Sequence, residues 1–370
     1  MPTQNSDIYS STYALMFTGA GETWKIGKNA NLFGLAGAVQ STYANSKLIN
    51  KGSLVGNAFG VYYDVGGLSG TYKVVNKEGA SISGSNGVYV SDFLGSLLVQ
   101  NDGDIFGATF GVFVAGSSDV KVMNDGSITS GIYAIFVAAS SAGANGTVVD
   151  NNGIAKASLF GVYLSGPSTV MAKVTNHEDG VIGGGLAGVF SPSPVDVKNE
   201  GKIIDVVWTS DYADKVVNKG KILGDVQLGA GIDTYKAKGK AKAGLVDTQD
   251  GNDLVTLGDK KDMLLFDSAL NAATNVDSVK KFVSGKDMVY LDNDIFPTIP
   301  DGVLSSTAFH EGTSAASATD RIIYDKASGA LYYDPDGLGG ASQVQFATFD
   351  PGTKLKASDF MIGEYTIMLV

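Results

Sequence analysis

The chain of 370 residues contains no cysteine, which excludes disulfide bonds and thiolate metal ligands. Arginine is nearly absent too, since Arg321 is the only one and lysine supplies the rest of the 27 positive charges. The 38 acidic residues give a net charge of −11 at pH 7. A phosphate backbone is bound by clustered lysine and arginine. We therefore expect no nucleic-acid partner.

Long apolar runs are missing as well. No run reaches the length that a membrane-spanning helix needs, so we predict no membrane span. The first residues, MPTQNSDIYSSTYALMF, have neither a basic n-region nor a long apolar h-region. This start predicts no general secretory signal.

Histidine occurs only at His177 and His310. Each begins an HE pair, but neither is followed by the second histidine that a zinc protease requires. No nucleophile motif surrounds either histidine, so a serine triad has no support. Zinc proteolysis and cysteine catalysis are excluded. Glycoside hydrolysis by paired carboxylates stays open, because the spacing of carboxylates depends on the fold.

A repeat of about 24 residues runs through the first 220 positions. In each copy an aliphatic residue is followed by a variable one, then by Asn, and shortly afterwards by Gly, as in VQNDG and VMNDG. This alternation is typical of a strand with one buried face. The repeated asparagines are Asn50, Asn76, Asn101, Asn124, Asn151, Asn176, Asn199 and Asn218.

A second short strand follows most of these asparagines, with sequences such as GVYY, GVFV and GVYL. Two strands per period, separated by Asn and Gly turns, predict an all-β fold of the right-handed parallel β-helix type. Equivalent asparagines would then stack into a hydrogen-bonded ladder. A β-sandwich of regular hairpins would explain the turns but not the recurrence of one residue pattern.

One aromatic residue recurs in the second strand. Three arrangements stay open: the rings stack inside the solenoid, they lie outside under another chain or the C-terminal half, or they form a sugar-binding platform. An exposed apolar column of this length would exceed what monomers leave bare. We therefore predict a binding or assembly stripe, which consists of Tyr62, Tyr89, Phe113, Phe136, Tyr163 and Phe190.

From residue 224 the pattern changes to glycine and aspartate followed by alternating apolar residues, as in GDVQLGAGIDTYKAKG, DTQDGNDLVTLG and LGDKKDMLLF. These segments resemble the nonapeptide of repeats-in-toxin (RTX) proteins, which forms a calcium-bound parallel β-roll. Glycine lets turn carbonyls point inward, and a cation that takes six to eight oxygens cancels the repulsion between carboxylates. The resemblance implies calcium as cofactor, at or beside Asp233, Asp250, Asp253, Asp259 and Asp262.

The third copy departs from the family pattern, because Lys260 stands where the family has glycine. We therefore expect few ions, from one to about three. The alternative is a solvated acidic turn region that binds no metal. In DPDG, Asp334 and Asp336 offer a further calcium site, although a plain turn explains them equally well.

The region from about 228 to 370 resembles the C-terminal module of exported calcium-binding proteins and serralysin-type proteases. The resemblance implies type I secretion directed by an uncleaved C-terminal signal. Residues 1–227 do not resemble the protease domain of that family. We predict an N-terminal solenoid cap over residues 1–45, β-helix repeats over 46–223, and an RTX-like β-roll with a small C-terminal secretion module over 224–370.

These observations favour an exported calcium-binding structural protein of the bacterial cell surface or extracellular matrix, such as a surface-layer, filament or adhesin component. An acidic chain in low calcium stays unfolded by charge repulsion, so we expect folding and self-association to follow calcium binding outside the cell. The alternative is a calcium-dependent polysaccharide lyase or epimerase. That chemistry needs a basic group near the substrate carboxylate, and the repeats contain no arginine.

Overall fold

The computed structural model of the chain describes residues 1–141 and 146–365. It is almost entirely β-structure, 55% strand and 1% helix, and its parallel strands form a β-solenoid of about 12 turns. This confirms the predicted all-β parallel β-helix. The chain divides into two compact units, Met1–Val207 and Trp208–Val370, and the division falls within the short strand Val207–Trp208. Residues 366–370, the end of the predicted secretion module, lie outside the described residues.

Most turns of the N-terminal unit have three strand segments, one more than the sequence pattern predicts, and in Ser81–Asn101 and Asp104–Asn124 these segments join into one continuous strand. The extra strand directly follows the Asn-Gly turn, as in Ser53–Gly56 and Ser127–Ser130. The strands of this unit are Thr3–Gln4, Ile8–Ser10, Tyr13–Met16, Thr23–Ile26, Asn31–Gly34, Gly37–Ser41, Lys47–Asn50, Ser53–Gly56, Phe59–Asn76, Ser81–Asn101, Asp104–Asn124, Ser127–Ser130, Tyr133–Ser141, Thr147–Asn151, Ile154–Ala157, Phe160–Ser165, Ala172–Asn176, Val181–Gly184, Ala187–Phe190, Val195–Asn199 and Lys202–Ile203.

Parallel register places equivalent residues of successive turns directly above one another. Val88 pairs with Val112, which pairs with Ile135, and all three side chains are completely buried. The pairing contradicts the β-sandwich alternative, since hairpins would make neighbouring strands antiparallel. The core of this unit is a stack of aliphatic side chains about 4.8 Å apart.

The asparagine ladder is present in the N-terminal unit. Asn101 donates from Nδ2 to Asn124 Oδ1 at 2.8 Å, and Asn124 donates in the same way to Asn151 at 2.8 Å. The six links from Asn50 to Asn199 all have this length, and these side chains are buried. An amide both donates and accepts, so each rung satisfies its neighbours.

The aromatic stripe lies on the outer face, which contradicts the arrangement with rings stacked inside. In strand Asp104–Asn124, Val112 and Val114 are buried, and Phe113 between them is half-buried. Its ring lies parallel to those of Tyr89, at 4.3 Å and 10°, and Phe136, at 5.2 Å and 4°. The rings cover one another's faces, so their edges point away from the stack. A sugar platform needs exposed faces, and the stack therefore does not favour that alternative.

Regular turns begin inside the range predicted as a cap. Strands Ile8–Ser10 and Tyr13–Met16 pair in parallel with Asn31–Gly34 and Gly37–Ser41. Residues 1–45 therefore already contain a complete three-stranded turn. The predicted boundary at 223 lies within the C-terminal unit.

The C-terminal unit has two main strand columns. One contains Thr234–Ala237, Leu254–Thr256 and Asp277–Lys280, and the other contains Leu245–Asp247 and Met263–Phe266. Its strands are Lys215–Asn218, Lys221–Ile222, Val226–Gln227, Thr234–Ala237, Leu245–Asp247, Leu254–Thr256, Met263–Phe266, Asp277–Lys280, Met288–Asp292, Gly302–Val303, Phe309–Glu311, Ile322–Asp325, Ala330–Tyr333, Val344–Phe349 and Phe360–Gly363, and a 3₁₀ turn spans Ala357–Asp359.

The far end of this unit is covered by other strands. Asp277–Lys280 pairs in parallel with Val344–Phe349, and Met288–Asp292 pairs with Phe360–Gly363. The antiparallel strand Ala330–Tyr333 then pairs with Val344–Phe349. The last turn of the two columns therefore has neighbours for its backbone groups, which protects it from edge-to-edge association.

Candidate metal site in the C-terminal unit

Four aspartates form a ladder at the starts of strands in the first column. The backbone N of Asp214 donates to Asp233 Oδ1 at 2.6 Å, and the N of Asp233 donates to Asp253 Oδ1 at 2.7 Å. The N of Asp253 donates to Asp277 Oδ1 at 3.0 Å. All four are at most 3% exposed. The ladder therefore buries four carboxylates in successive turns.

The two ends of this ladder are satisfied by hydroxyl groups. Asp214 Oδ2 accepts from Ser210 Oγ at 2.6 Å, and Asp277 Oδ2 accepts from Thr248 Oγ1 at 2.6 Å. The two middle residues differ, because the Oδ2 atoms of Asp233 and Asp253 are buried without a hydrogen-bond partner in the described part of the chain. Unpaired negative oxygens in a buried position need a cation or a proton.

Burial raises the pKa of these middle carboxyl groups. The pKa of Asp233 rises to about 8, chiefly by desolvation, and the charge of Asp253 adds to the effect. The pKa of Asp253 is raised by burial and then by the charge of Asp277. Burial and the charges of neighbouring aspartates destabilise an ionised carboxylate that has no partner. A cation bound to the carboxylate would offset both effects.

A shorter ladder lies in the second column. The backbone N of Asp262 donates to Asp287 Oδ1 at 3.1 Å, and the N of Gly258 donates to Asp262 Oδ2 at 2.8 Å. Burial also raises the pKa of Asp262. Lys286 lies 3.3 Å from Asp287 Oδ1, so this ladder has a lysine beside it.

The structure places the predicted calcium ligands in two ladders, at exposed turns and in the DPDG segment. Asp233 and Asp253 belong to the first ladder, and Asp262 belongs to the second. Asp250 and Asp259 are exposed at turns, as the solvated-turn alternative describes.

The DPDG segment contains the last two predicted ligands, Asp334 and Asp336. Asp334 Oδ1 accepts from the N of Gly337 at 2.8 Å and from the N of Asp336 at 3.2 Å, which is the bonding of a side-chain-stabilised turn.

Sequence reasoning missed Asp214, Asp277 and Asp287. Each begins the same Asp–x–Val pattern (DKV, DSV and DMV) as DLV at Asp253. Asp214, Asp253 and Asp287 directly precede a strand, and Asp277 is the first residue of its strand. A search for Asp–x–aliphatic after a turn, without requiring the preceding glycines, would have found all three.

Glycine is required at one turn of the first ladder. Gly251 has a φ of +152°, and a Cβ there would lie 2.0 Å from the carbonyl oxygen of Gly231. Gly231 and Gly251 pair in parallel across adjacent turns. Their close backbone approach places the turns that carry Asp233 and Asp253 against each other.

The carboxylate chemistry fits a hard, oxygen-preferring cation. Among residues 1–141 and 146–365 no three acidic side chains are already gathered as a metal cluster. A calcium ion at Asp233 and Asp253 would therefore need backbone carbonyl oxygens as additional ligands. Asp233 and Asp253 fit such an ion because their Oδ2 atoms are buried and have no hydrogen-bond partner in the described part of the chain.

A groove in the N-terminal unit is the surface most relevant to a polysaccharide. Its volume is about 520 Å³, and Lys73, Lys121 and Asp119 line it. Lys73 and Lys121 lie in the same strand column with Leu98 between them. Tyr72 donates its hydroxyl to the Leu68 carbonyl at 2.8 Å, and burial raises its pKa. The hydroxyl therefore keeps its proton at neutral pH and is not available as a general base.

No helix among the described residues has the length and apolarity to cross a bilayer. No protein-family model matches the sequence, and no curated protein matches it significantly.

Proposed function

We propose that this chain is an exported calcium-binding structural protein of the bacterial cell surface or matrix, whose C-terminal unit folds when it binds calcium. The proposal is carried by the buried, unpaired Oδ2 atoms of Asp233 and Asp253. At neutral pH these carboxyl groups either hold protons or attract a cation. Calcium outside the cell supplies that cation, and export as an unfolded chain follows from its absence inside.

Self-association is the second part of the proposal. Strands Thr3–Gln4, Ile8–Ser10 and Tyr13–Met16 each pair with one neighbouring strand in the part of the chain that the structure describes. A strand with one partner presents unpaired backbone groups on its other edge. Contact through these edges would join copies end to end.

The test begins with full-length protein freed of metal by a chelator. Addition of millimolar calcium is expected to increase β-structure in circular dichroism, and an equal concentration of magnesium to do so less, because magnesium demands stricter octahedral geometry. Light scattering in the same titration follows association. Absence of a calcium-specific gain in β-structure would end the folding proposal, and a strictly monomeric product would end the association proposal.

Matched variants localise the effect. The double variant Asp233→Asn/Asp253→Asn removes both unpaired carboxylates, and we expect it to lose most of the calcium-induced rise in melting temperature. The double variant Asp250→Asn/Asp259→Asn removes the same charge from exposed positions and should retain the rise. Equal behaviour of the two variants would contradict a site in the ladder.

A polysaccharide-active or polysaccharide-binding protein is the second candidate, favoured only by the groove with Lys73 and Lys121. Lysines at this spacing suit carboxylated sugars. The variant Lys73→Ala/Lys121→Ala should then lose retention on an acidic polysaccharide such as alginate, and unaltered retention would remove this candidate.

A further inference from the structure

A second group of acids occupies the other column of the C-terminal unit and contains none of the predicted calcium ligands. Strands Leu245–Asp247 and Met263–Phe266 pair in parallel. Asp247 is the last residue of the first strand, and Asp267 directly follows the second. Asp292 is the last residue of the neighbouring strand Met288–Asp292, and Asp225 directly precedes the neighbouring strand Val226–Gln227. The group, named here the strand-end cluster, consists of Asp225, Asp247, Asp267 and Asp292.

Within the strand-end cluster, Asp247 has one carboxylate oxygen that lacks a hydrogen-bond donor among the described residues. Its side chain is fully buried, and Oδ1 accepts from the backbone N of Gln249 at 3.2 Å. Its Oδ2 has no hydrogen-bond donor in the described part of the chain. The side chain of Asp267 is the neighbour that acts on it most strongly. The carboxyl groups of Asp247 and Asp267 are therefore in direct contact, and because neither is a donor when ionised, the pair needs a shared proton or a shared cation.

Tyr365 closes the outer side of the strand-end cluster. Its hydroxyl donates to Asp225 Oδ2 at 2.7 Å, and its backbone N donates to Asp292 Oδ2 at 2.9 Å. Asp225 Oδ1 also accepts from the N of Leu245 at 2.7 Å. Tyr365 thus donates to the two outer acids, and it donates to neither of the two inner acids, Asp247 and Asp267.

The charges around the inner pair are of one sign. Burial is the main cause that raises the pKa of Asp267, and the charges of Asp292 and Asp250 raise it further. Among residues 1–141 and 146–365, no lysine or arginine forms an ion pair with Asp247 or Asp267. Positive charge from the protein therefore does not balance this buried pair.

We infer that the strand-end cluster binds a divalent cation between Asp247 and Asp267, at a site separate from the aspartate ladder and enclosed by Tyr365. The available ligand atoms are carboxylate oxygens, with no imidazole or thiolate in the cluster, so the ion belongs to the calcium and magnesium class. This site uses different residues from the Asp233 and Asp253 site, although Thr248, which follows Asp247, donates to Asp277 of the aspartate ladder.

Calorimetric titration of the metal-free full chain with calcium chloride tests the inference. We expect Asp247→Asn and Asp267→Asn each to lose about one equivalent of bound calcium relative to the unsubstituted protein. Asp294→Asn is the matched control, because Asp294 is exposed and close in sequence to Asp292. It should retain the full stoichiometry. An unchanged stoichiometry in both Asp247→Asn and Asp267→Asn overturns the inference.

A second measurement keeps the test decisive if a variant folds poorly. In chelator, Asp247→Asn should raise the midpoint of thermal unfolding, since it removes one of two repelling buried carboxyl groups. In calcium, the same variant should gain less in midpoint than the unsubstituted protein. A lower midpoint in chelator together with a full calcium gain overturns the inference.

The outcome is separable from that of the proposed function. Loss of an equivalent in Asp247→Asn, with an unaffected Asp233→Asn/Asp253→Asn variant, supports this site and contradicts the ladder site. The reverse pattern contradicts this site and leaves the proposed function standing. A chain that binds no calcium contradicts both.

Discussion

The N-terminal and C-terminal units both stack parallel strands, but their buried polar ladders use different chemistry. In the N-terminal unit Asn124 accepts from Asn101 and donates to Asn151, both at 2.8 Å. In the C-terminal unit Asp253 accepts from the backbone N of Asp233 at 2.7 Å but has no side-chain proton to pass on when ionised. The amide ladder satisfies itself, whereas the carboxylate ladder needs a proton or a cation.

This difference has a consequence for stability. A fully satisfied buried network rigidifies a fold without any ligand. A buried carboxylate with an unpaired oxygen destabilises the fold until something neutralises it. The comparison therefore predicts that ions control the C-terminal unit and leave the N-terminal unit unaffected.

The largest expected contrast between the units is in hydrogen exchange. A ligand present at a hundred times its Kd stabilises by about 2.7 kcal/mol, which corresponds to about a hundredfold slower exchange through global opening. We expect this slowing for strands Thr234–Ala237 and Leu254–Thr256 after calcium addition, and little change in Asp104–Asn124. Mass spectrometry of exchanged peptides measures both at once. An equal gain of protection in the two units would contradict the prediction that calcium stabilises only the C-terminal unit.

The substitution Asn124→Asp replaces one amide of the asparagine ladder by a carboxylate. Asn124 Nδ2 also donates to the carbonyl of Ile154 at 2.9 Å, so Asn124→Asp removes two buried donations. We expect a loss of about 3 kcal/mol in unfolding free energy at pH 7, because buried acceptors lose their donor and a charge is buried. Chemical denaturation monitored by circular dichroism measures it.

The control for this substitution is Asn152→Asp, in the next turn, where the side chain is exposed. It introduces the same charge outside the ladder and should change stability by less than about 0.5 kcal/mol. Similar losses in the two variants would show that net charge, rather than the ladder, determines the effect.

The pH dependence of the C-terminal unit in chelator is the third prediction. Burial raises the pKa of Asp233 from 3.8 to about 8, and it also raises the pKa of Asp253. Between about pH 4 and pH 8 the folded state therefore binds more protons than the unfolded state, and stability falls as pH rises through this window. Thermal unfolding across this range should show falling midpoints.

Saturating calcium is expected to remove or reverse that slope, because the ion binds the ionised carboxylates. The N-terminal unit supplies the internal control, since its ladder consists of amides that do not titrate. A midpoint in chelator that rises from pH 5 to pH 8 contradicts the assignment of the raised pKa values.

The smallest expected effect concerns the outer aromatic stack. Phe113→Leu removes ring contacts with Tyr89 and Phe136 and keeps an apolar side chain. We expect a loss of about 1 kcal/mol, the usual contribution of aromatic pairs beyond burial. Phe106→Leu is the control, because Phe106 is 51% exposed. A larger effect on association than on stability would instead support the stripe as an assembly surface.

Local patterns predicted much of the fold and part of the site. The aliphatic residue two positions before each Asn identified the buried face, and the Asn recurrence identified the ladder. The number of strands per turn was wrong, because the third strand, as in Ser53–Gly56, contains small and polar residues that carry little apolar alternation. Asp253 and Asp262 were both selected by spacing, although they belong to opposite strand columns.

What the sequence determined is the stacking itself, since a repeated pattern of alternating residues has one low-energy arrangement in which identical positions pair. It also determined that the asparagine repeat gives way to glycine and aspartate segments from about residue 224. Only the tertiary structure decided which acids meet. The ladder spacings of 19, 20 and 24 residues vary with turn length. Within the part of the chain that the structure describes, Asp247 Oδ2 lacks a donor because its neighbour in space is the carboxyl group of Asp267. Tyr365, which is distant in sequence, donates to Asp225 instead. Burial and pairing depend on such distant neighbours, and local sequence does not encode them.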